Sequence, residues 1–528
     1  MSMIRLRGML GMLPALNDHY LPDHNAADAY NIELWSPTLK PAKGPLAVLQ
    51  GAISPTPLAL FQYIDDVWFQ WDEVADVARS PVSNEAFGRV YYTKSDGPWV
   101  TDSTIYTTGG EPYPGAEYRP GVPVPTSAPT GTPGGSGSIT ETRYYIYCAV
   151  NEYGEIGPPS PVSTAVTMSS HANCSVAFST VADGAYNPVD KYYIYRSNLI
   201  GSGFQFVDEA TSSPYVDTVV ALGELLPSTD WDPPPTDVQG LVSLPNGIQA
   251  AFRGNELCMS EPNLPHAWPV PYRKAVDYDI VALGAIDNGC AILTEGQPYI
   301  MVGVNPPSMA PIRLEVPYAC VSKSGVVQFG DTVVYPSPLG LVSVDGSGAR
   351  LLTKDVFTLE QWTALRPSTL KAFQYRNLYI GFYMDGSGDD RGFMFDPVNP
   401  SNGVSYFYGL SMSAAYEDPG TGSVFISTEG NIAQWAAGSN QSFSWKSKAY
   451  ELPAPAPMRC VQVMAEQYPV TANVYRDGVL QARVELGSSE PRRIPNGARG
   501  RVYQIELISN YEIREVALAS SMEEIRRA

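Results

Sequence analysis

"GVVQFGDTVVYPSPLGLVSVDG", Gly325–Gly346, carries the pattern that decides the fold. Two short β-forming runs meet at Gly330-Asp331, a dipeptide suited to a tight hairpin turn. The same form recurs in "GIQAAFRGNELCMSE" (Gly247–Glu261) and "GAIDNGCAILTEGQPYIMVG" (Gly284–Gly303). It recurs again in "KAFQYRNLYIGFYMDGSGDDRGFMFD" (Lys371–Asp396) and "GSVFISTEGNIAQWAAG" (Gly422–Gly438). Their turns are Gly254-Asn255, Asn288-Gly289, Arg376-Asn377 and Glu429-Gly430-Asn431. Successive starts lie about 40 residues apart, the length of a four-stranded propeller blade. The expected fold is therefore all-β, with a β-propeller-like body over 240–454.

The flanking regions read as β-structure too. Region 1–110 holds strand-like stretches bounded by Pro and Gly, and a hairpin in "RVYYTKSDGPWVTD" (Arg89–Asp102) that turns near Ser95–Pro98. Propellers often close with strands from both chain ends, so these strands are expected to contribute to the propeller. Region 111–138 is dominated by Pro, Gly, Ser and Thr and reads as a linker or long surface loop unable to pack a core. Region 139–220 shows short alternating strands with regular turn signals, the pattern of a small inserted β-sandwich. It resembles a fibronectin type III-like domain, most clearly in "YYIYCAVNEYGEIGPPSP" (Tyr144–Pro161). Region 455–528 reads as a C-terminal β-sandwich with turns at Asp477-Gly478 and Asn496-Gly497 and a short charged tail. Helix is expected at Thr358–Leu365 and Ser521–Ala528.

Bulk composition narrows function. A chain of 528 residues exceeds one core, so two or three domains are expected. The net charge of −20 argues against clamping nucleic acid, which needs Lys and Arg to displace counterions. It leaves room for a conduit that lets DNA pass without sticking. The six cysteines form no CxxC pair and sit in strand-like runs, as expected of buried thiols in a reducing cytoplasm. The four histidines show no metal-ligand spacing. The apolar start "MSMIRLRGMLGMLPAL" is interrupted by glycines and meets Pro14 early, unlike an export signal. No run approaches the roughly 20 apolar residues of a membrane span.

Four constellations invite a chemical reading. Ser260, Glu261 and His266 could pass for a hydrolase triad. However, adjacent residues on a strand point to opposite faces, and no GxSxG elbow occurs. Asp385, Ser387, Asp389 and Asp390 place oxygens at alternate positions, yet no Glu follows at the twelfth place of a calcium loop. "GTPGGSGS" lacks the Gly-Lys-Ser/Thr of a phosphate loop. The carboxylates Asp65–Asp66 and Glu73–Asp76, with Trp68, Trp71 and Trp99, could mark a sugar site, though acidic pairs are common in so acidic a chain. No catalytic, cofactor-binding or metal-binding residue is assigned, and the chain is not expected to be an enzyme.

Ordered motifs along the chain resemble large structural proteins of tailed-phage virions. The N-terminal stretch Leu6–Pro45 carries Leu21, Pro22, Ala26, Ala29, Asn31, Leu39 and Pro41 in the pattern of that family. Val67–Pro98 is similar to its next segment through Trp68, Val77, Ser80, Pro81, Arg89, Val90 and Tyr91. "NGIQAAFRGNELCMSEPNLPHAWP" (Asn246–Pro269) resembles its Ser-Glu-Pro…Pro-His-Ala-Trp-Pro run, and "EVALASSMEEI" (Glu515–Ile525) its C-terminal segment. Within that family the chain most resembles the nozzle, or tail tubular protein B, of short-tailed phages.

The resemblance implies a ring, expected to be a hexamer, that continues the portal/adaptor channel and conducts or retains double-stranded genomic DNA. Tail fibres or spikes would be further neighbours, the site would be the virion tail, and assembly would take place in the host cytoplasm. On this reading Pro262, Pro265, His266 and Trp268 form a candidate intersubunit loop, and Asp385, Asp389 and Asp390 a candidate acidic channel loop. The alternatives are a tail hub, knob or fibre-attachment protein, or a tail protein that binds or degrades host carbohydrate. A secreted adhesion protein is disfavoured by the unpaired cysteines and the absent signal.

Overall fold

A computed structural model describes all residues except 1–2, 50–55, 137–139, 170–171, 198–202, 496 and 528. Residue 139, where the sequence reading opens the sandwich, and Asn496 of the expected turn lie outside the described residues. The chain is all-β, with mostly antiparallel sheets of two to ten strands and, among the described residues, two short α-helices, Leu359–Ala364 and Met522–Arg527. It divides into two compact units.

The first unit comprises Met1–Asp72, Leu293–Pro298 and Arg313–Ala528. The stretch Gly325–Gly346 supplies three strands of a blade-like sheet: Val327–Phe329, Thr332–Ser337 and Gly340–Asp345, with Gly348–Leu351 as the fourth. Register Phe329↔Thr332 leaves Gly330-Asp331 as the turn. The next meander runs through Lys371–Tyr375, Leu378–Met384, Asp390–Phe395 and Val404–Tyr408. Its first turn, Arg376-Asn377, holds φ of 50° and 61°. Two successive positive φ values match the right-handed twist of a two-residue hairpin. A third sheet orders Ala414–Glu417, Val424–Thr428 and Asn431–Gln434 behind Leu46–Leu49, a strand from the other end of the chain. Such pairing of early and late strands is a propeller-like closure.

The helix Leu359–Ala364 begins with a reciprocal cap: the Thr358 hydroxyl accepts from Gln361 N, and the Gln361 side chain accepts from Thr358 N. Its Trp362 is 1% exposed and donates through Nε1 to Ser337 O at 2.8 Å, pinning the helix to the first meander.

The N-terminal residues do not all serve blades. Met3–Arg7 pairs with Ile513–Ala519, and Ala26–Tyr30 pairs with Phe443–Ser447. Met3–Arg7 therefore belongs to the C-terminal sheets, whose core includes Leu6, Trp445, Val463, Val474 and Leu507. Ala26–Tyr30 joins them to the preceding meander through a parallel pairing with Val404–Tyr408 at Tyr30↔Tyr406. Local alternation shows that a strand has one apolar face but not which sheet will cover it. Those sheets also begin earlier than residue 455, because Phe443–Ser447 and Tyr450–Pro457 pair with Arg499–Ser509.

The second unit comprises Glu73–Ile292 and Tyr299–Ile312. It holds a three-stranded sheet (Asp76–Arg79, Val90–Lys94, Gly97–Thr101) and a four-stranded meander from Gln239–Leu244 to Lys274–Ala275. A further sheet starts at Ile280–Ile286. Between them lies a two-sheet sandwich built on Thr140–Asn151 and Val189–Ser197 in one sheet and Cys174–Ala177 in the other. Tyr145, Tyr147, Val166, Val176 and Ile194 fill its core.

Region 111–138 contributes to that sandwich. Thr130–Pro133 pairs with Cys174–Ala177, and Val122, 1% exposed, packs into the core. Its composition excludes a core of its own, but an extended Pro-rich segment can still lend single residues to a neighbouring core. All six cysteines are buried and free.

Candidate functional site

The residues that suggested a triad do not meet. The Ser260 hydroxyl accepts from Gln249 N at 2.9 Å and donates to Glu261 O at 2.9 Å, so it closes a strand end. Glu261 Oε1 accepts from the Tyr272 hydroxyl at 2.7 Å. His266 turns instead toward Glu155, with Nδ1 3.3 Å from Oε1.

The candidate intersubunit loop also changes character. Pro265, His266 and Trp268 are buried in their own chain, and Pro262 is half-buried. Trp268 packs with Tyr91, Val100 and Val238, and its Nε1 donates to Pro265 O at 2.9 Å. A Pro- and aromatic-rich run looks like a surface anchor in sequence, yet the inserted sandwich and the three-stranded sheet provide inner surfaces that cover it.

At this place the second unit holds a buried charge cluster. Arg89 donates from Nε and Nη2 to both oxygens of Glu85, at 2.8 to 3.0 Å, and from Nη1 to Glu155 Oε1. The Arg89 side chain is 5% exposed and that of Glu155 10%. The guanidinium also sits 4.8 Å from the Tyr153 ring centre, and the Tyr153 hydroxyl donates to Asp102. Asn151 Nδ2 donates to Glu155 Oε2 at 2.9 Å, and Trp231 meets the His266 ring edge-on at 5.7 Å.

Burial opposes ionisation of Glu155, but His266, Arg89 and Asn151 outweigh it and bring the carboxyl down to about 2. Burial likewise resists the charge on Arg89, and its carboxylate partners overcome that, raising the guanidinium further. Both groups are therefore ionised across the neutral range. The cluster joins the sandwich turn Asn151–Glu155, the edge of the three-stranded sheet and the His266 loop. Its charged groups engage one another, which is the chemistry of a fastening. Sequence reading singled out His266 and Arg89 but missed Glu85 and Glu155. Glu155 lies 66 residues from Arg89, and no local pattern announces that pairing.

Asp385, Asp389 and Asp390 stand at the hairpin tip between Leu378–Met384 and Asp390–Phe395. Asp385 Oδ1 accepts from the backbone N–H groups of Ser387 and Asp389, and its Oδ2 accepts from Arg391 Nε at 3.0 Å. Arg391 also lies 3.3 Å from Asp389. The tip thus carries its own cation, which offsets part of the charge of its three aspartates. Among the described residues no group of three or more His, Cys, Asp or Glu could hold a metal ion.

Trp68 and Trp71, the candidate sugar platforms, are 6% and 8% exposed. Trp68 packs against Phe425 and Tyr416, with centroids 5.0 and 5.9 Å away. Trp99 is covered by Arg119, whose guanidinium lies 3.7 Å from the ring centre. None of the three offers a free face of the kind a sugar ring would stack on. A polar groove of about 790 Å³ runs beside Thr332, Ser343, Ser347, Arg350 and Asn377 in the first unit.

One carboxyl is held away from its ordinary behaviour. Burial raises Glu33 to about 7 from an ordinary 4.5, against the pull of Arg376, Lys40 and Lys43. The folded state therefore holds this proton more tightly than the unfolded chain. Stability should fall as pH rises from 4.5 to 7 and carry the full cost above that. Glu33→Gln is expected to stabilise the protein by about 1–3 kcal/mol at pH 8 and to have little effect near pH 4. Thermal unfolding at the two pH values checks this; equal shifts at both would show that charge is not the cause.

No family model matches the chain, and no curated protein matches it. Among solved structures it is similar to AztD from Citrobacter koseri, at 11% identity and a TM-score of 0.28, covering 70% of this chain and 99% of that one. It is similar to the WD40 domain of Toxoplasma gondii coronin, at 11% identity and a TM-score of 0.25, covering 60% and 78%. Virginiamycin B lyase from Staphylococcus aureus follows at 9% identity and a TM-score of 0.24, covering 68% and 98%. Overlap this low bears on neither activity nor partner.

Proposed function

We propose that this protein is a non-enzymatic structural component of a phage tail, a ring-forming nozzle that continues the portal/adaptor channel and conducts or retains double-stranded DNA. The observation that carries the reading is the use made of the Ser-Glu-Pro…Pro-His-Ala-Trp-Pro run. This run bears the resemblance to virion proteins, and here its Ser260, His266 and Trp268 serve as internal fastenings. A part that must transmit load needs such rigid joints more than it needs a solvent-facing reactive group. The all-β architecture and the net charge of −20 support the same reading, because an acidic wall repels phosphate.

Negative-stain microscopy and sedimentation of the purified protein test it. Rings are expected, alone or on a portal–adaptor complex. A protein that stays monomeric under both conditions would remove the proposal. The carbohydrate-binding alternative loses its carriers with Trp68 and Trp71 buried.

A further inference from the structure

Charge is distributed unevenly along the chain. Residues 455–528 contain ten arginines, no lysine and nine carboxylates, a balance of +1, so the preceding residues carry −21. Arg459, Arg476, Arg493 and Arg499 gather at one end of the C-terminal sheets. Arg493 stands opposite Cys460, and Arg499 opposite Pro457. The Arg459 side chain lies against Gly497, and that of Arg476 crosses Gly500, where a Cβ would come within 2.3 Å of its Cγ. Among the described residues, no carboxylate lies within ion-pair distance of these four arginines. Arg501 beside them is paired with Glu451 at 2.9 Å. Asp477 stands near them, with Oδ1 occupied by the backbone N–H groups of Arg501 and Val502. The adjoining hairpin tip exposes Val479 and Leu480, at 69% and 49%.

We infer that this face docks on a second copy of the same chain. The inference rests on the ring reading above and names the chemistry of its subunit contact. Arginine beside exposed apolar side chains, with lysine absent, is the composition of a protein interface. The complementary face lies in the same unit, at the turn between Ala59–Ile64 and Val67–Trp71. There Ile64 is 53% exposed, and Asp65 and Asp66 are exposed with no ion-pair partner among the described residues. In contrast, the Asp385 tip already holds Arg391. One face is apolar and cationic, the other apolar and anionic. Two different faces on one chain make a heterologous contact, which repeats head to tail and closes when the rotation permits.

Charge reversal tests this in the full-length protein, with sedimentation velocity across a concentration series as the readout. Arg493→Glu with Arg499→Glu is expected to raise the midpoint concentration for assembly at least about tenfold, and Asp65→Arg with Asp66→Arg likewise. Combining all four changes should bring the midpoint back to within about threefold of the parent. Unchanged circular dichroism and unfolding temperature would show that these exposed positions alter contact and not folding. Assembly that ignores both reversals would overturn this inference and leave the ring reading standing. A parent that never assembles would overturn both. Binding of a fluorescent DNA duplex at about 0.15 M salt, lost in the arginine variant, would assign the face to phosphate and also overturn the inference.

Discussion

Replacing Arg89 by methionine is expected to cost the second unit about 3–5 kcal/mol of stability, the usual penalty for removing one partner of a buried ion pair. Arg89 satisfies Glu85 through two nitrogens and Glu155 through a third, and Glu155 has little access to water. Methionine keeps much of the aliphatic volume, so the loss would report the stranded carboxylates. Glu155→Gln on top of Arg89→Met should recover about 1–3 kcal/mol, because the amide no longer needs a cation.

The pH dependence follows from the same group. Glu155 falls to about 2 in the folded protein from an ordinary 4.5, so its ionised form favours folding. That contribution is complete above pH 4.5 and is lost as pH falls toward 2. The Arg89→Met variant should show a shallower loss across this window. Chemical denaturation followed by circular dichroism would measure both effects. A loss under about 1 kcal/mol would mean that the cluster is solvated and holds nothing together.

Trp445→Ala should cost the first unit a comparable amount, about 3–5 kcal/mol. Trp445 is fully buried between Ala29 and Leu507 on the neighbouring strands, and its Nε1 donates to Leu10 O at 2.8 Å. It therefore anchors the N-terminal segment to strands more than 400 positions away in sequence. Beyond the global loss, amide exchange should accelerate in Met3–Arg7, which pairs only with Ile513–Ala519 among the described strands. Trp445→Phe separates the contributions: it retains most of the buried ring and removes the donor, so it should cost nearer 1 kcal/mol. If phenylalanine proved as damaging as alanine, the hydrogen bond rather than the packed volume would be the anchor.

Local patterns in the sequence determined much of this protein. Gly330-Asp331, Arg376-Asn377 and Glu429-Gly430 mark hairpin turns because few dipeptides accept their backbone angles, and the apolar runs beside them become strands. Thr358 and Gln361, three apart, announce a helix start that the structure uses. The cysteine spacing spoke against a disulfide framework, and all six thiols are free.

Tertiary structure alone decided which strands meet. Met3–Arg7 and Ala26–Tyr30 look like any edge strand, and their partners lie at the far end of the chain. Val122 sits in a Pro-rich stretch whose composition hides its place in a core. His266 stood beside Ser260 in sequence and faces Glu155 in space. Periodicity and turn chemistry act over a few residues, so they can be read from the chain. The partner of a buried charge or an apolar face is chosen by what the folded chain brings near it, and no short-range pattern records that choice.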